Sequence, residues 1–199
     1  MYIYEHNDWP KFRWDQTKLA PLLGDVRHLQ GRLLGRMEAL GFQLREEATL
    51  QTLTQDVVKT SEIEGEKLDA AQVRSSLARR MGLDIGALPA IDRNVEGIVE
   101  VMLDATRKYD AALTRERLFS WHAALFPTGR SGMRRIVVGA WRTEASGDMQ
   151  VVSGPIGRET VHYEAPAHDQ LKKEMSRFVK WCNSLSDIDP VLKSALATH

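Results

Sequence analysis

The fold is decided by residues 91–109, which read IDRNVEGIVEVMLDATRKY. Apolar residues recur there at spacings of three and four, which is the period of one face of an α-helix. The apolar positions are Ile91, Val95, Ile98, Met102, Ala105 and Tyr109. This pattern predicts a helix of about five turns with one buried face. The rest of the fold follows from the segments on either side.

Three more helices are predicted toward the N-terminus. The first has an apolar face at Leu22, Val26, Leu29, Leu33, Met37 and Leu40. The second runs from about Leu44 to Glu64 and turns Ala48, Leu53, Val57 and Val58 inward. The third begins after Asp69, a good N-cap residue, and buries Val73, Leu77 and Met81.

The C-terminal half combines helices with a small β-structure. Thr114 is predicted to cap a helix that buries Leu118, Trp121 and Leu125. Residues 136–161 are rich in glycine and in β-branched residues, including Val137 and Val138, which predicts a β-hairpin or flap. A helical pattern returns over residues 171–182, and Asp189-Pro190 opens another helix. The sequence therefore predicts a mostly α (α+β) fold.

Composition limits the classes of function. The chain has 199 residues, of which 43% are hydrophobic, and this fits one domain or one domain with an appended subdomain. Its 27 basic residues balance its 27 acidic ones, so we expect no nucleic-acid or membrane partner. Cys182 is the only cysteine, which excludes an intramolecular disulfide and fits a reducing compartment. No signal-peptide pattern or long apolar run is present, and we expect a cytoplasmic protein.

Residues 60–66, which read TSEIEGE, form the most informative motif. The spacing places Thr60 and Glu64 on one helical face. Gly65 can adopt the left-handed conformation that ends a helix, and this leaves the Glu64 carboxylate near the negative end of the helix dipole. A cationic partner for Glu64 is therefore expected.

This pattern of a hydroxyl residue, three further residues, a glutamate and a glycine resembles the inhibitory helix motif of the Fic family of protein adenylyltransferases. Other segments resemble that family in the same order along the chain. They are residues 2–10, 12–14, 29–37, 139–143, 150–154, 161–166 and 189–199. The resemblance implies an N-terminal domain with the inhibitory helix over residues 1–88. It also implies the front part of the Fic core, including the flap, over residues 89–199.

One feature of the family does not occur in these residues. Fic proteins carry a signature of the form His-Pro-Phe, two residues, Gly-Asn-Gly-Arg, and none of the six histidines here is followed by proline. The resemblance places His199 in the helix before the signature, so the catalytic histidine is expected beyond His199. The sequence is expected to be the front part of a longer polypeptide.

The resemblance implies an activity and a regulatory mechanism. AMP would pass from ATP, with Mg²⁺, to a Ser, Thr or Tyr hydroxyl of a target protein. Glu64 would inhibit by pairing with the arginine that orients the γ-phosphate, with Thr60, Ser61 and Gly65 completing the inhibitory motif. The target would add as an extended segment to the flap strand formed by Met149, Gln150, Val151 and Val152. The inhibitory contact can also be made across a homodimer.

Three alternatives remain open at this stage. The chain can be a non-enzymatic helical regulatory or interaction module, with Glu64 as a solvated helix-end residue and the flap as an ordinary hairpin. It can keep the fold and transfer another phosphate-containing group, or remove AMP. A DNA-binding helical regulator is the third, and the absence of net charge argues against it.

Overall fold

A computed structural model describes residues 2–84, 90–131, 133–155 and 157–198. The predicted domain boundary at residues 88 and 89, and His199, lie outside these ranges. The described residues are mostly helical and include small antiparallel β-pairs. The predicted fold class, mostly α with a small β part, is confirmed.

The helices follow the order in which the sequence predicts them. They are α1 (Gln16–Glu38), α2 (Phe42–Ile63), α3 (Ala70–Met81), α4 (Arg93–Arg107), α5 (Arg115–Leu125), α6 (His168–Asn183) and α7 (Pro190–Ala197). The strands are β1 (Arg130–Ser131), β2 (Arg134–Arg135), β3 (Gln150–Ser153) and β4 (Thr160–Glu164). Strand β1 pairs with β2, and β3 pairs with β4, both antiparallel.

The chain forms two compact units. Unit 1 comprises Met1–Arg27, Leu113–Arg115 and Ala140–His199. Unit 2 comprises His28–Ala112 and Glu116–Gly139.

Unit 2 has its core among α2, α3 and α4. The buried apolar side chains are Leu50, Val57, Val73, Leu77, Ala78, Val95, Val99 and Leu103. The predicted N-cap of α3 is confirmed, because the Asp69 carboxylate accepts a hydrogen bond of 2.8 Å from the Ala71 amide. Helices α4 and α5 approach closely at Gly97, where a Cβ atom would lie 1.9 Å from the Ala124 carbonyl oxygen. Only glycine fits there.

Two expectations about burial were wrong, those for Tyr109 and Leu125. Helix α4 begins after its N-cap Asp92 and ends at Arg107, because Lys108 leaves the helical conformation at φ −112° and ψ 39°. Tyr109 is consequently 83% exposed, and Leu125 at the end of α5 is also exposed, at 41%. The apolar face predicted for α1 is exposed at Leu22, Val26, Leu29 and Leu33. Periodicity shows that a helix face is apolar but not what covers it.

Unit 1 contains α6, α7, the β3–β4 hairpin and the N-terminal aromatic segment. The predicted start of α7 is confirmed, because the Asp189 carboxylate accepts from the Val191 amide at 2.8 Å. The Asn183 side chain pairs with both backbone groups of Leu113, at 2.8 Å and 2.7 Å. The hairpin predicted within residues 136–161 forms over residues 150–164, while Val137 and Val138 lie outside the strands.

Candidate functional site

The end of α2 has a defined backbone geometry. Glu64 is the last cap residue, and Gly65 follows with a φ of +84°. The Gly65 amide donates to the Glu62 carbonyl at 3.1 Å, and the Glu66 amide donates to the Ser61 carbonyl at 2.8 Å. These two bonds form a Schellman motif. The prediction that Gly65 ends the helix in the left-handed conformation is confirmed.

The side chains of the motif differ in exposure. Thr60 and Glu64 are exposed, whereas Ser61 is 8% exposed and belongs to the buried part of the helix end. Within the described ranges, the Glu64 carboxylate makes no ion pair, and no side-chain hydrogen bond joins it to Thr60. The carboxylate is therefore presented to solvent on a helix end that is anchored through Ser61.

The charge around this helix end is negative. Lys59 Nζ lies 2.7 Å from Glu62 Oε2, and this hydrogen bond lowers the pKa of Glu62 and raises the pKa of Lys59. Lys59 is thus engaged with Glu62, while Glu64 and Glu66 remain exposed beside the negative end of the α2 dipole. Ile63, next to Glu64, is 83% exposed. We call residues 60–66 the α2 tip; it offers carboxylates and an apolar side chain to a cationic partner.

The flap predicted around Met149–Val152 is the β3–β4 hairpin. Gln150 lies opposite Glu164, and its side-chain Nε2 donates to Glu164 Oε2 at 2.7 Å. The register shifts between Val151 and Val152, which marks a bulge. The Ala165 amide donates to the Met149 carbonyl at 2.8 Å and extends the pairing beyond β3.

Strand β3 has a free edge. Among the residues that the structure describes, β3 is hydrogen-bonded to β4 alone, and every residue of β3 is exposed. Met149 is 63%, Val151 58% and Val152 47% exposed. An exposed strand with one unpaired edge can accept an extended peptide by backbone hydrogen bonds. Target docking at this strand stays a prediction.

A half-buried ionic group on α4 and α5 was not predicted from the sequence. Asp104 Oδ2 accepts from Arg117 Nε at 2.7 Å and from Trp121 Nε1 at 2.8 Å, and Oδ1 lies 2.9 Å from Lys108 Nζ. The hydrogen bond from Lys108, followed by those from Arg117 and Trp121, holds the pKa of Asp104 well below its ordinary value. The only sequence signal was the spacing of four between Asp104 and Lys108.

This ionic group forms one wall of a surface cavity in unit 2. The cavity has a volume of about 630 Å³ and is also lined by Arg80, Glu100 and Arg107. Arg117 also donates to the backbone carbonyls of Asp104, Lys108 and Ala111. Because Arg117 is engaged with the end of α4, the cluster connects α4 to α5 and serves as a structural element.

The two predicted parts of the site lie in different units. The α2 tip belongs to unit 2 and the β3–β4 hairpin to unit 1. Within the described ranges, no group of three or more His, Cys, Asp or Glu side chains could hold a metal ion. None of the helices in those ranges is long and apolar enough to cross a membrane.

Comparison with known proteins identifies one domain. The family described as "Domain of unknown function (DUF4172)" has a sequence model that matches residues 2–83. No curated protein matches the chain significantly. The matched range includes α1, α2, α3 and the α2 tip. Over residues 2–83, the chain is similar to this domain.

Proposed function

We propose that this chain provides the regulatory and target-docking parts of a Fic-type protein adenylyltransferase. The activity is transfer of AMP from ATP, with Mg²⁺, to a Ser, Thr or Tyr hydroxyl of a target protein, and Glu64 inhibits it. The observation that carries the proposal is the exposed Glu64 carboxylate, which has no ion-pair partner among the described residues and stands at a glycine-ended helix terminus.

The chemistry explains why a carboxylate at this place inhibits. The target hydroxyl oxygen attacks the α-phosphorus of ATP, the bond to the bridging oxygen breaks, and pyrophosphate leaves. A base, the histidine of the family signature, takes the hydroxyl proton. This in-line attack requires the γ-phosphate to be held by an arginine of that signature. A carboxylate that pairs with the same guanidinium displaces the γ-phosphate.

The geometry of the α2 tip suits this competition. Helix α2 is fixed in the core by Leu50 and Val57, which are 0% and 1% exposed. The buried Ser61 and the two hydrogen bonds of the Schellman motif then fix the backbone around Glu64. Little conformational freedom is lost when such a preorganised carboxylate binds an arginine.

The hairpin supplies the second part of the proposal. The free edge of β3 accepts the target as an added strand, and Met149, Val151 and Val152 provide apolar contact. Backbone pairing of this kind selects weakly by sequence, so it serves to align a hydroxyl with the α-phosphate. ATP is the substrate and Mg²⁺ the cofactor, which fits the cytoplasm. The balanced charge of the chain favours neither a nucleic-acid nor a membrane partner.

The test compares single-residue variants of the complete gene product. Glu64→Gly and Glu64→Gln should raise transfer of AMP from α-labelled ATP, because neither side chain pairs with a guanidinium as a carboxylate does. Removal of a coupling of ordinary size predicts an increase of roughly 5- to 150-fold. Glu66→Gln is the matched control, since Glu66 is an exposed acid two residues away. Equal incorporation by wild type and both Glu64 variants would remove the inhibitory role.

A non-enzymatic interaction module is the second candidate function. The exposed apolar stripe of α1, formed by Leu22, Val26, Leu29 and Leu33, favours it, because a contiguous exposed apolar surface is a usual feature of a protein contact. Reading the coding DNA beyond codon 199 separates the two candidates. An in-frame His-Pro-Phe signature supports the transferase, whereas a stop codon would assign the chain to the interaction module.

A further inference from the structure

Helix α1 carries an exposed apolar stripe. Leu22 is 60%, Val26 37%, Leu29 60% and Leu33 62% exposed. The spacings of four, three and four are those of successive d, a, d and a positions in a coiled-coil heptad. We call these four residues the α1 seam. All four residues lie on α1, so the geometry of this one helix sets their positions relative to one another.

We propose that the α1 seam binds the α1 seam of a second copy of this chain, with the two helices antiparallel. In this arrangement Leu22 of one copy packs on Leu33 of the other, and Val26 packs on Leu29. The two-fold symmetry repeats both pairs, so that every layer joins two apolar side chains and all eight become buried.

The charges beside the seam select this orientation. Asp25 and Arg32 flank the seam at g positions, are exposed, and make no ion pair with any residue that the structure describes. In the antiparallel pair, Asp25 of each copy faces Arg32 of the other, which gives two opposite-charge contacts. In a parallel pair, Asp25 would face Gln30 and Arg32 would face Met37. The observed charges therefore complement each other only in the antiparallel pair.

Another face of α1 is used inside unit 1. Arg27 Nη2 lies 3.1 Å and 3.0 Å from the two carboxylate oxygens of Asp189. Arg27 is one residue from Val26 and is thus rotated about 100° away from the seam. This ion pair leaves the seam uncovered. Because the seam is only about 17 Å long, we expect a dissociation constant in the roughly micromolar range.

The first experiment is sedimentation equilibrium of the complete gene product from about 1 µM to about 500 µM. The expected result is a monomer–dimer equilibrium. Leu29→Glu should raise the dissociation constant at least about tenfold, because it buries a charge in the seam. Leu34→Glu is the matched control: Leu34 is 62% exposed on the same helix but lies outside the seam. A monomer throughout, or equal effects of both variants, would overturn the proposal.

The second experiment tests the orientation with surface charges, so it does not depend on whether Leu29→Glu folds. Asp25→Arg and Arg32→Asp should each weaken the dimer, because each places like charges opposite one another. An equimolar mixture of the two variants should recover the wild-type dissociation constant, since every facing pair is again of opposite charge. Failure of the mixture to recover would contradict the antiparallel pairing. Far-UV circular dichroism confirms that each variant keeps its helices.

Discussion

At the scale of single residues, the Asp104 group shows how one carboxylate joins two helices. Its side chain is 20% exposed and that of Arg117 is 15% exposed, so solvent screens the pair far less than a surface pair. Trp121 donates to the same carboxylate oxygen as Arg117, and Lys108 approaches the other oxygen. If the Asp104 carboxylate is replaced by a neutral amide, the cations of Arg117 and Lys108 face an uncharged group.

Asp104→Asn should therefore lower the free energy of unfolding by about 1 to 3 kcal/mol. The pKa of Asp104 is lowered in the folded state, so its contribution is complete above the ordinary aspartate pKa and decreases as the pH falls below about 4. The difference in the free energy of unfolding between wild type and variant should shrink in that acid range. Urea denaturation at pH 7 and pH 3 measures it. Asp110→Asn, at an exposed residue, is the control; an equal effect there would contradict this role.

At the scale of elements, the β3–β4 hairpin is stabilised on one side of β3 only. The bulge at Val151–Val152 and the cross-strand bond from Gln150 to Glu164 fix its register. The other edge of β3 has no strand among the residues described. An extended peptide can add to this edge only if the backbone amides that face outward from β3 are available as hydrogen-bond donors.

Gln150→Pro should impair modification of the target by the complete gene product. The Met149 carbonyl is bonded to β4, so the amide of the next residue, Gln150, faces the free edge, and proline removes that amide. ATP binding, measured by nucleotide-dependent thermal shift, should remain as in wild type. Gln150→Thr loses the same side-chain bond to Glu164 but keeps the backbone amide, and it serves as the control. Loss of both target modification and ATP binding in the proline variant would indicate a folding defect. Target modification at the wild-type level would exclude docking on β3.

At the scale of the whole molecule, the two units differ in how they are stabilised. The side chains described as buried, from Leu50 to Leu103, all belong to unit 2. Within the described part of unit 1, every residue is at least partly exposed, and the unit relies on polar anchors such as Asn183 and Lys193. Buried apolar packing carries most of the stability of a fold, so the units should not be equally stable.

Amide hydrogen exchange should reveal this difference. We expect the slowest exchange in α2, α3 and α4, and faster exchange in α6, α7 and the hairpin, because local opening needs less free energy where less apolar surface is buried. Exchange measured by mass spectrometry at neutral pH provides the values. The exposed residues near the C-terminal end of α1 serve as an internal reference for rapid exchange. Equal protection in both units would contradict this expectation.

Local signals in the sequence were sufficient for several elements. Asp69 and Asp189 were recognised as N-caps, and Gly65 as a helix end, because each of these features depends on a few neighbouring residues. Tyr109 was assigned to the buried face, since its spacing continues the pattern, although the backbone leaves the helix at Lys108.

Features that depend on distant residues were harder to predict. The Asp104 group requires Arg117 and Trp121 from another helix, and the sequence between them does not show that they meet. The seam of α1 has the pattern of a core face but is exposed. For the candidate site, the motif predicted where Glu64 lies, whereas the guanidinium proposed to bind it belongs to the family signature, which does not occur in these residues.

The Schellman end of α2 has a geometrical consequence for how Glu64 is aimed. The helix is held at Val57 and stopped at Gly65, so the number of residues between these two points sets the direction of the carboxylate. One inserted or deleted residue would turn Glu64 by about 100° and move it by about 1.5 Å along the axis. The proposed inhibition therefore depends on the angular position of Glu64 around the helix axis, and inserting one residue between Val57 and Gly65 should relieve it as Glu64→Gly does.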